Sequence, residues 1–169
     1  MAGGKGKGMP VRPAVPFPIV GQTLRTPMRI VPGIVSGVPY ASGRAMGSSW
    51  SETAPRSGIL HTINVVDLDK EQLEFDIVIL NAEFGDVVLD NAAFDLLDGD
   101  AVKLVGKVTI TAADYIGFND NAIASLTNIG LLFEAPNRVL FFRNVTRGAP
   151  NYATKDDLLI QFVFISDET

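Results

Sequence analysis

The sequence predicts an all-β fold, namely an antiparallel β-sandwich or jelly-roll-like domain that carries a long extended N-terminal arm. From residue 58 onward, short runs rich in Ile, Val, Phe and Thr alternate with turn residues. There are seven or eight such runs and one plausible helix, a pattern typical of sandwiches and jelly rolls. The first 57 residues hold eight of the ten prolines and nine of the sixteen glycines, which excludes a long helix and disfavours a central strand.

Residues 1–57 are therefore predicted to form a basic extended arm, and residues 58–169 an acidic β domain. The arm contains seven basic residues and one acid, whereas the remainder contains seven basic residues and eighteen acids. This asymmetry indicates that the arm meets an acidic surface. Apolar side chains recur between the prolines, unlike in a solvated linker, so we expect the arm to be ordered only against other molecules. The side chains expected to make these partner contacts are Arg12, Phe17, Arg25, Arg29, Tyr40, Arg44 and Trp50.

One part of the arm has a second interpretation. The segment from Arg29 to Tyr40 could fold back as an edge hairpin of the same domain. Pro32 and Gly33 would then occupy the central positions of a type II turn, which favours proline followed by glycine.

The β domain opens with the segment from Ile59 to Leu80, which predicts a β-hairpin. A charged stretch at residues 67–72 separates two apolar runs. In the second run Glu74 and Asp76 alternate with apolar residues, so one face of the hairpin is expected to be wet.

The remaining elements follow at short spacing. Strands are predicted at residues 84–89, 101–113, 121–128, 129–134, 137–145 and 158–165, and one or two helical turns at 90–98. The strand at 101–113 alternates most clearly between apolar and polar residues. The strand at 158–165 has few polar residues on either side, so we expect its second face to be covered by the arm or by a neighbouring subunit.

Residues that could support catalysis or metal binding are few. The chain has no cysteine, which excludes thiolate nucleophiles, disulfides and zinc-thiolate sites, and its one histidine, His61, stands in a predicted strand without a nucleophile motif. We interpret His61 as structural. Acidic clusters at residues 67–71 and 95–100 match a calcium loop only in part, so solvated turns are the simpler interpretation. We expect no enzymatic activity, no catalytic or cofactor-binding residues and no metal site.

The composition also bears on larger partners. A hydrophobic fraction of 47% is too high for a disordered protein, yet no run reaches the about 18 apolar residues of a membrane helix. We expect no membrane contact and no secretion signal. Nucleic acid is expected to make at most weak, salt-sensitive contacts with the basic arm.

Five phrases of the β domain resemble a group of small bacteriophage proteins that are encoded among virion genes and regarded as structural. These phrases are DLDKEQLEFDIVILN (67–81), DNAAFDLLDGD (90–100), GKVTITAADY (106–115), LTNIG (126–130) and RGAPNYATKDDLLIQFVFISD (147–167). The resemblance covers about residues 58–169 and does not include the arm. It implies a virion component without enzymatic activity, assembled in the host cytoplasm, and leaves its position in the particle open.

From these observations we expect a capsid decoration, or cement, protein. It would form a homo-oligomer, either a trimer or a dimer, and its arm would contact the major capsid protein or another virion protein. Two alternatives stay open. A neck, collar or tail component would occur in far fewer copies per particle. A receptor- or glycan-binding module would need an exposed aromatic platform, and the β domain offers only Tyr115 and Tyr152 beside its phenylalanines.

Overall fold

The computed structural model describes residues 21–35 and 37–167. Within these ranges the chain forms eleven strands in two antiparallel sheets that pack as a sandwich, which confirms the predicted all-β class. The strands are β1 (Gln22–Arg25), β2 (Arg29–Ile30), β3 (Ala45–Thr53), β4 (Ser57–Asp67), β5 (Phe75–Leu80), β6 (Leu104–Ile110), β7 (Tyr115–Gly117), β8 (Ala122–Leu126), β9 (Leu131–Glu134), β10 (Val139–Thr146) and β11 (Leu158–Ser166). A four-residue helix, α1 (Asp98–Ala101), and a 3₁₀ turn at Ala112–Asp114 complete the regular structure. No helix in the described ranges is long and apolar enough for a membrane crossing.

The two sheets differ in size. Sheet 1 has the strand order β1-β11-β4-β8-β7, with β2 also paired to β11 and β9 also paired to β4. Sheet 2 has the order β3-β10-β5-β6. The long strands β4 and β11 pair with each other in the middle of sheet 1, so the C-terminal strand is central to the fold.

The main core lies between the sheets and is built by alternate residues of the central strands. Phe142 of β10 stacks on Phe162 of β11, with ring centroids 4.2 Å apart, and so joins sheet 2 to sheet 1. Phe133 meets Phe164 edge to face at 5.4 Å. Each such buried side chain contributes about 1.5–3 kcal/mol through apolar burial, so these aromatic contacts hold the two sheets together.

The predicted hairpin between residues 59 and 80 is wrong, because β4 belongs to sheet 1 and β5 to sheet 2. The carboxylate of Asp67, buried at the end of β4, accepts hydrogen bonds from the backbone N–H groups of Asp69 (3.2 Å) and Gln72 (2.7 Å). These bonds stabilise a turn that leads the chain out of sheet 1. β5 then pairs with β10 and β6 instead of β4.

The predicted wet face of β5 is also wrong, since all six of its residues are buried. Its second face, together with β10, forms a smaller apolar cluster on the outer side of sheet 2. The cluster consists of Val78, Leu80 and Val145, packed against Phe84, Phe94, Leu96 and Phe141. The segment at residues 81–97 thus lies over sheet 2.

That segment contains neither the strand predicted at 84–89 nor the helical turns predicted at 90–98. The one short helix, α1, begins where the predicted turns end. The apolar residues of the segment at 81–97 pack onto sheet 2 instead of forming a strand. The strands predicted at 121–128, 129–134, 137–145 and 158–165 are confirmed as β8 to β11, and the strand at 101–113 is shortened to β6.

The N-terminal part differs from the expected arm over residues 21–57. β1 and β2 pair with β11 at the edge of sheet 1, and β3 forms an edge of sheet 2. Apolar side chains from this part lie in the main core, among them Val31, Ile34, Tyr40 and Met46. The prolines fall outside the strands, which leaves short edge strands free to pair. The expected boundary at residue 57 therefore does not coincide with a break in the described structure.

The second interpretation of residues 29–40 is closer to what is observed. The segment lies at an edge of the same domain, and Gly33 has φ +77° directly after Pro32, as a type II turn requires. Its β partner is β11 and not a second strand of its own hairpin. Residues 1–20 lie outside the described residues, so an arm there stays a prediction.

Candidate functional site: the outer face of sheet 1

One outer face of the sandwich is covered by a loop segment, and the other exposes its side chains. The segment 81–97 covers sheet 2, whereas the outer face of sheet 1 exposes aliphatic side chains. A first apolar row runs straight across five strands of sheet 1, because the strand registers bring its members side by side. This row consists of Ile30, Leu159, Val66, Ile123 and Ile116. Ile116 is 68% exposed and Ile123 38%.

A second apolar row crosses the same face nearer the end of β11. Ile165 pairs with Ile59, and Ile59 pairs with Leu132 of β9. Leu132 is 73% exposed. Exposed aliphatic side chains that stand singly are ordinary, but two aligned rows on one flat face are a feature of interaction surfaces.

A polar row separates the two apolar rows, and its side chains bond to one another. The Ser125 hydroxyl donates to the Asn64 side-chain oxygen at 2.7 Å, and the Asn64 amide donates to Gln161 at 3.1 Å. The Gln161 amide in turn donates to the backbone oxygen of Thr26 at 2.9 Å. Each side chain of the row therefore donates at least one hydrogen bond within the chain, and the bonds connect β8, β4 and β11.

The face carries little charge. Among the outward-facing residues that the registers of the described strands place in or between the apolar rows, Arg25 has the only charged side chain. Arg29, opposite Ile160, reaches toward sheet 2 instead, where it pairs with Glu52. Charged residues make up 20% of the whole chain. Depletion of charge is what distinguishes the centre of a protein interface from ordinary surface.

A shallow groove of about 400 Å³ lies beside the polar row. Hydroxyl groups of Thr62 and Thr127 line it together with Arg25 and His61. His61 stands at a β-bulge, where the register between β4 and β11 shifts, and its Nδ1 lies 2.8 Å from the Thr62 hydroxyl. Among the described residues, no Phe, Tyr or Trp side chain lines the groove.

Most of the predicted contact residues that fall in the described ranges have partners within the chain. Arg29 forms an ion pair with Glu52 at 2.9 Å, which links β2 of sheet 1 to β3 of sheet 2. Arg44 donates to the backbone oxygen of Asn91 at 3.1 Å. Burial raises the pKa of Glu52, and Arg29 opposes this shift.

The two predicted aromatic contacts pack into the body. Tyr40 is buried, and its hydroxyl donates to Asp90 at 2.6 Å. Trp50 stacks on Phe142 with ring centroids 5.6 Å apart. Arg25 remains exposed, on the outer face of sheet 1, whereas Arg12 and Phe17 lie outside the described residues.

The two acidic clusters use their buried carboxylates to bind backbone. Burial raises the pKa of Asp67 to about 6, and the N–H groups of Gln72 and Asp69 oppose that shift. Asp100 accepts from the Gly85 N–H at 2.9 Å and from Lys103, whose hydrogen bond lowers the pKa of the Asp100 carboxyl. No group of three or more His, Asp or Glu within the described part of the chain is placed to hold a metal ion.

Two buried charged residues of sheet 2 were not anticipated from the sequence. Arg143 donates to the backbone oxygen of Val88 at 2.7 Å and lies over the ring of Phe84, and burial lowers the pKa of its guanidinium. Burial alone would raise the pKa of Asp76, but hydrogen bonds from Thr109, Arg147 and Lys107 outweigh it and lower the pKa. Both residues tie surface segments to sheet 2, and no signal in the sequence distinguished them from solvated charges.

The rows of the outer face were likewise not predicted, because they depend on which strands are neighbours and in what register. Only the apolar second side of residues 158–165 signalled that this face was unusual. No known family model matches the chain, and no curated protein matches it.

Proposed function

We propose that this protein is a non-enzymatic structural component of a bacteriophage virion, and specifically a capsid decoration protein that oligomerises and stabilises the shell. The observation that carries the proposal is the outer face of sheet 1, with its two apolar rows and a single charge. Such a face suits docking onto protein. The resemblance of residues 58–169 to virion proteins supports the choice of particle.

The contact surface that we propose differs from the original set of arm residues. Arg29, Tyr40, Arg44 and Trp50 already have partners in the body, so we place the main protein–protein contact of the assembled protein on the outer face of sheet 1. Arg25 keeps its proposed role, because it is exposed on that face. Arg12 and Phe17 keep theirs as parts of the basic, proline-rich stretch at residues 1–20.

Burial of the apolar rows is the proposed source of binding energy. Apolar surface contributes about 25 cal/mol for each Å² that it loses to water. The basic residues of the N-terminal stretch would add attraction to an acidic capsid surface, and that part of the binding would weaken with salt. Together the two contacts would hold neighbouring shell proteins against internal pressure.

A particle-binding experiment tests the proposal. Purified protein is added to shells that lack it, and the bound copies are counted by quantitative mass spectrometry and located by cryo-electron microscopy. We expect saturable binding in a number that matches the shell lattice. The Leu132→Asp variant should bind markedly less. The Val102→Asp variant should bind normally, because Val102 lies outside the apolar rows and its side chain is 86% exposed.

Copy number also separates the alternatives. Binding only at one vertex would replace the shell assignment with a neck, collar or tail component. No binding to any part of the particle would remove the virion proposal itself.

The shallow groove supplies polar groups, but not the expected aromatic platform, for one further candidate, a glycan-binding role. Its hydroxyl, amide and guanidinium groups are the kinds of donors and acceptors that recognise sugar hydroxyls. Glycan-array binding that is lost in the Asn64→Ala variant would support this role. A blank array would exclude it for the glycans tested.

A further inference from the structure

We propose that the outer face of sheet 1 is the interface between two copies of this chain, which pack face to face about a twofold axis. The inference rests on the oligomeric role in the proposed function and assigns the outer face of sheet 1 to a second copy. The basic stretch at residues 1–20 is then the part proposed to contact the shell. It is carried by the arrangement of rows on the face, by their hydrogen bonding and by their charge.

The arrangement of rows is self-complementary. From the first apolar row to the second, the face passes through the polar row and then through Val163 with its neighbours Arg25 and Thr62. The two apolar rows therefore lie on either side of a more polar middle. A twofold axis in the plane of the interface, whether along the strands or across them, places apolar rows on apolar rows and the middle on the middle. A closed dimer follows from such a patch.

The polar row can be buried at low cost. An unpaired buried polar group costs about 1–3 kcal/mol, which usually opposes burial of amides and hydroxyls. Here Ser125, Asn64 and Gln161 already donate to acceptors within the chain. A second copy can exclude water from these bonds without breaking them, while the second N–H of each amide would bond to an acceptor of the other copy.

The charges permit the approach of identical copies. The chain has a net charge of -5, so most pairs of its surfaces would bring acids together. The paired residues of the two apolar rows and of the middle include no acid. Repulsion between acids is therefore low when two copies meet through these rows, and Arg25 is the one charged side chain that each copy brings to the middle.

The size of the face sets the expected affinity. From the row at Leu159 to the row at Ile165 is six residues, or about 20 Å at about 3.3 Å per residue. Five strands at about 4.8 Å span a similar width. Two such faces cover on the order of 1,000 Å², which is the lower bound for a specific interface, so we expect a dissociation constant in the micromolar range.

Sedimentation velocity on the full-length chain, from about 1 to about 200 µM, tests the inference across that range. We expect a concentration-dependent shift from monomer to dimer. Ile123→Lys changes the first apolar row, and Leu132→Lys changes the second. Each should raise the dissociation constant of the dimer at least tenfold, which corresponds to about 1.4 kcal/mol, because it buries like charges in the interface. Both side chains are exposed, so circular dichroism should show the fold intact.

Val102→Lys is the matched control, since it places the same charge on a side chain that is 86% exposed and lies in the loop before β6 of sheet 2, outside both apolar rows. It should dimerise like the wild type. A monomer at every concentration would overturn the inference, and so would a dimer that neither row variant weakens. If the protein is a monomer, and removal of residues 1–20 speeds hydrogen exchange at the amides of β4 and β11, then residues 1–20 cover the outer face of sheet 1 instead of a second copy.

The outcome is separable from that of the particle experiment. A strict monomer that still decorates shells would end this inference and the oligomeric part of the proposed function, and would leave shell decoration standing. A dimer that binds no particle would end the proposed virion function and leave this inference standing.

Discussion

Gly47 occupies a position where both backbone angle and space exclude other residues. Its φ is +72°, and a Cβ added there would lie 2.4 Å from the backbone oxygen of Pro32. The close approach lets β3 pack against the turn at Pro32 and Gly33, where the Ser48 N–H donates to the same oxygen at 2.7 Å. Gly47 thus joins the N-terminal segment to sheet 2.

We therefore expect Gly47→Ala to lower the free energy of unfolding by about 3 kcal/mol or more, since backbone must move to admit the methyl group. Gly43→Ala is the matched control. Gly43 has φ +80° but no atom within 4 Å of an added Cβ, so it should lose only about 1 kcal/mol of left-handed strain. Urea denaturation measures both, and equal losses would contradict the role of the contact.

Asp67 provides a residue-scale prediction on pH. Its pKa is raised from 3.8 to about 6 in the folded chain, so between these values the folded state binds the proton more tightly than the unfolded state. This contribution stabilises the fold fully below pH about 4 and is lost as the pH rises through about 6. The loss has a slope of at most about 1.4 kcal/mol per pH unit.

In the Asp67→Asn variant this part of the pH dependence should disappear, because the amide does not titrate. Denaturation series from pH about 4 to about 7 on both proteins give the two slopes. Glu52 contributes in the same direction in both, so the difference between slopes isolates Asp67. Parallel curves would show that Asp67 is not the titrating group.

At the scale of elements, Asp90 holds the segment that precedes β3. Its carboxylate accepts from the Tyr40 hydroxyl and the Gly47 N–H, each at 2.6 Å, and from the Val35 N–H at 3.1 Å. Burial, followed by the hydrogen bond and charge of Asp90, raises the pKa of Tyr40. The loop over sheet 2 and the N-terminal segment are thereby joined through one side chain.

Asp90→Ala should cost about 2–4 kcal/mol, since it leaves a buried hydroxyl and a buried N–H without their acceptor. Hydrogen exchange should show lost protection at Gly47 before any change in β11. Asp95→Ala, an exposed residue of the same loop, should change stability by no more than about 0.5 kcal/mol. Undiminished protection at Gly47 in the Asp90 variant would contradict the assignment.

At the scale of the whole molecule, the described structure makes residues 21–57 part of the sandwich. Three strands come from this region, and Met46 and Val31 are fully buried. Every strand in the described ranges begins after residue 21.

Deletion of residues 1–20 should therefore leave the sandwich folded, with Tm within about 4 °C of the full chain. Deletion of residues 1–56 removes β1, β2 and β3 together with core side chains and should abolish cooperative unfolding. Thermal denaturation followed by circular dichroism distinguishes the two. A cooperatively folded product of the longer deletion would restore the original boundary at residue 57.

The sequence by itself determined the fold class and most strands after residue 100, because alternation with period two is a local property that a single strand displays. It also showed, at residues 158–165, that the last strand is apolar on both sides. It did not determine that β4 and β5 lie in different sheets, since that depends on how Asp67 turns the chain and on which distant strands are free to pair.

Only the tertiary structure decided the candidate site. Ile30 and Ile116 are 86 positions apart and share a row solely because three strands between them adopt one register. The same pairing drew residues 21–57 into the body, where short edge strands tolerate the prolines that had indicated an arm. Alternation along one strand depends only on residues that are neighbours in the sequence. The face of a sheet depends on pairing between residues that are distant in the sequence.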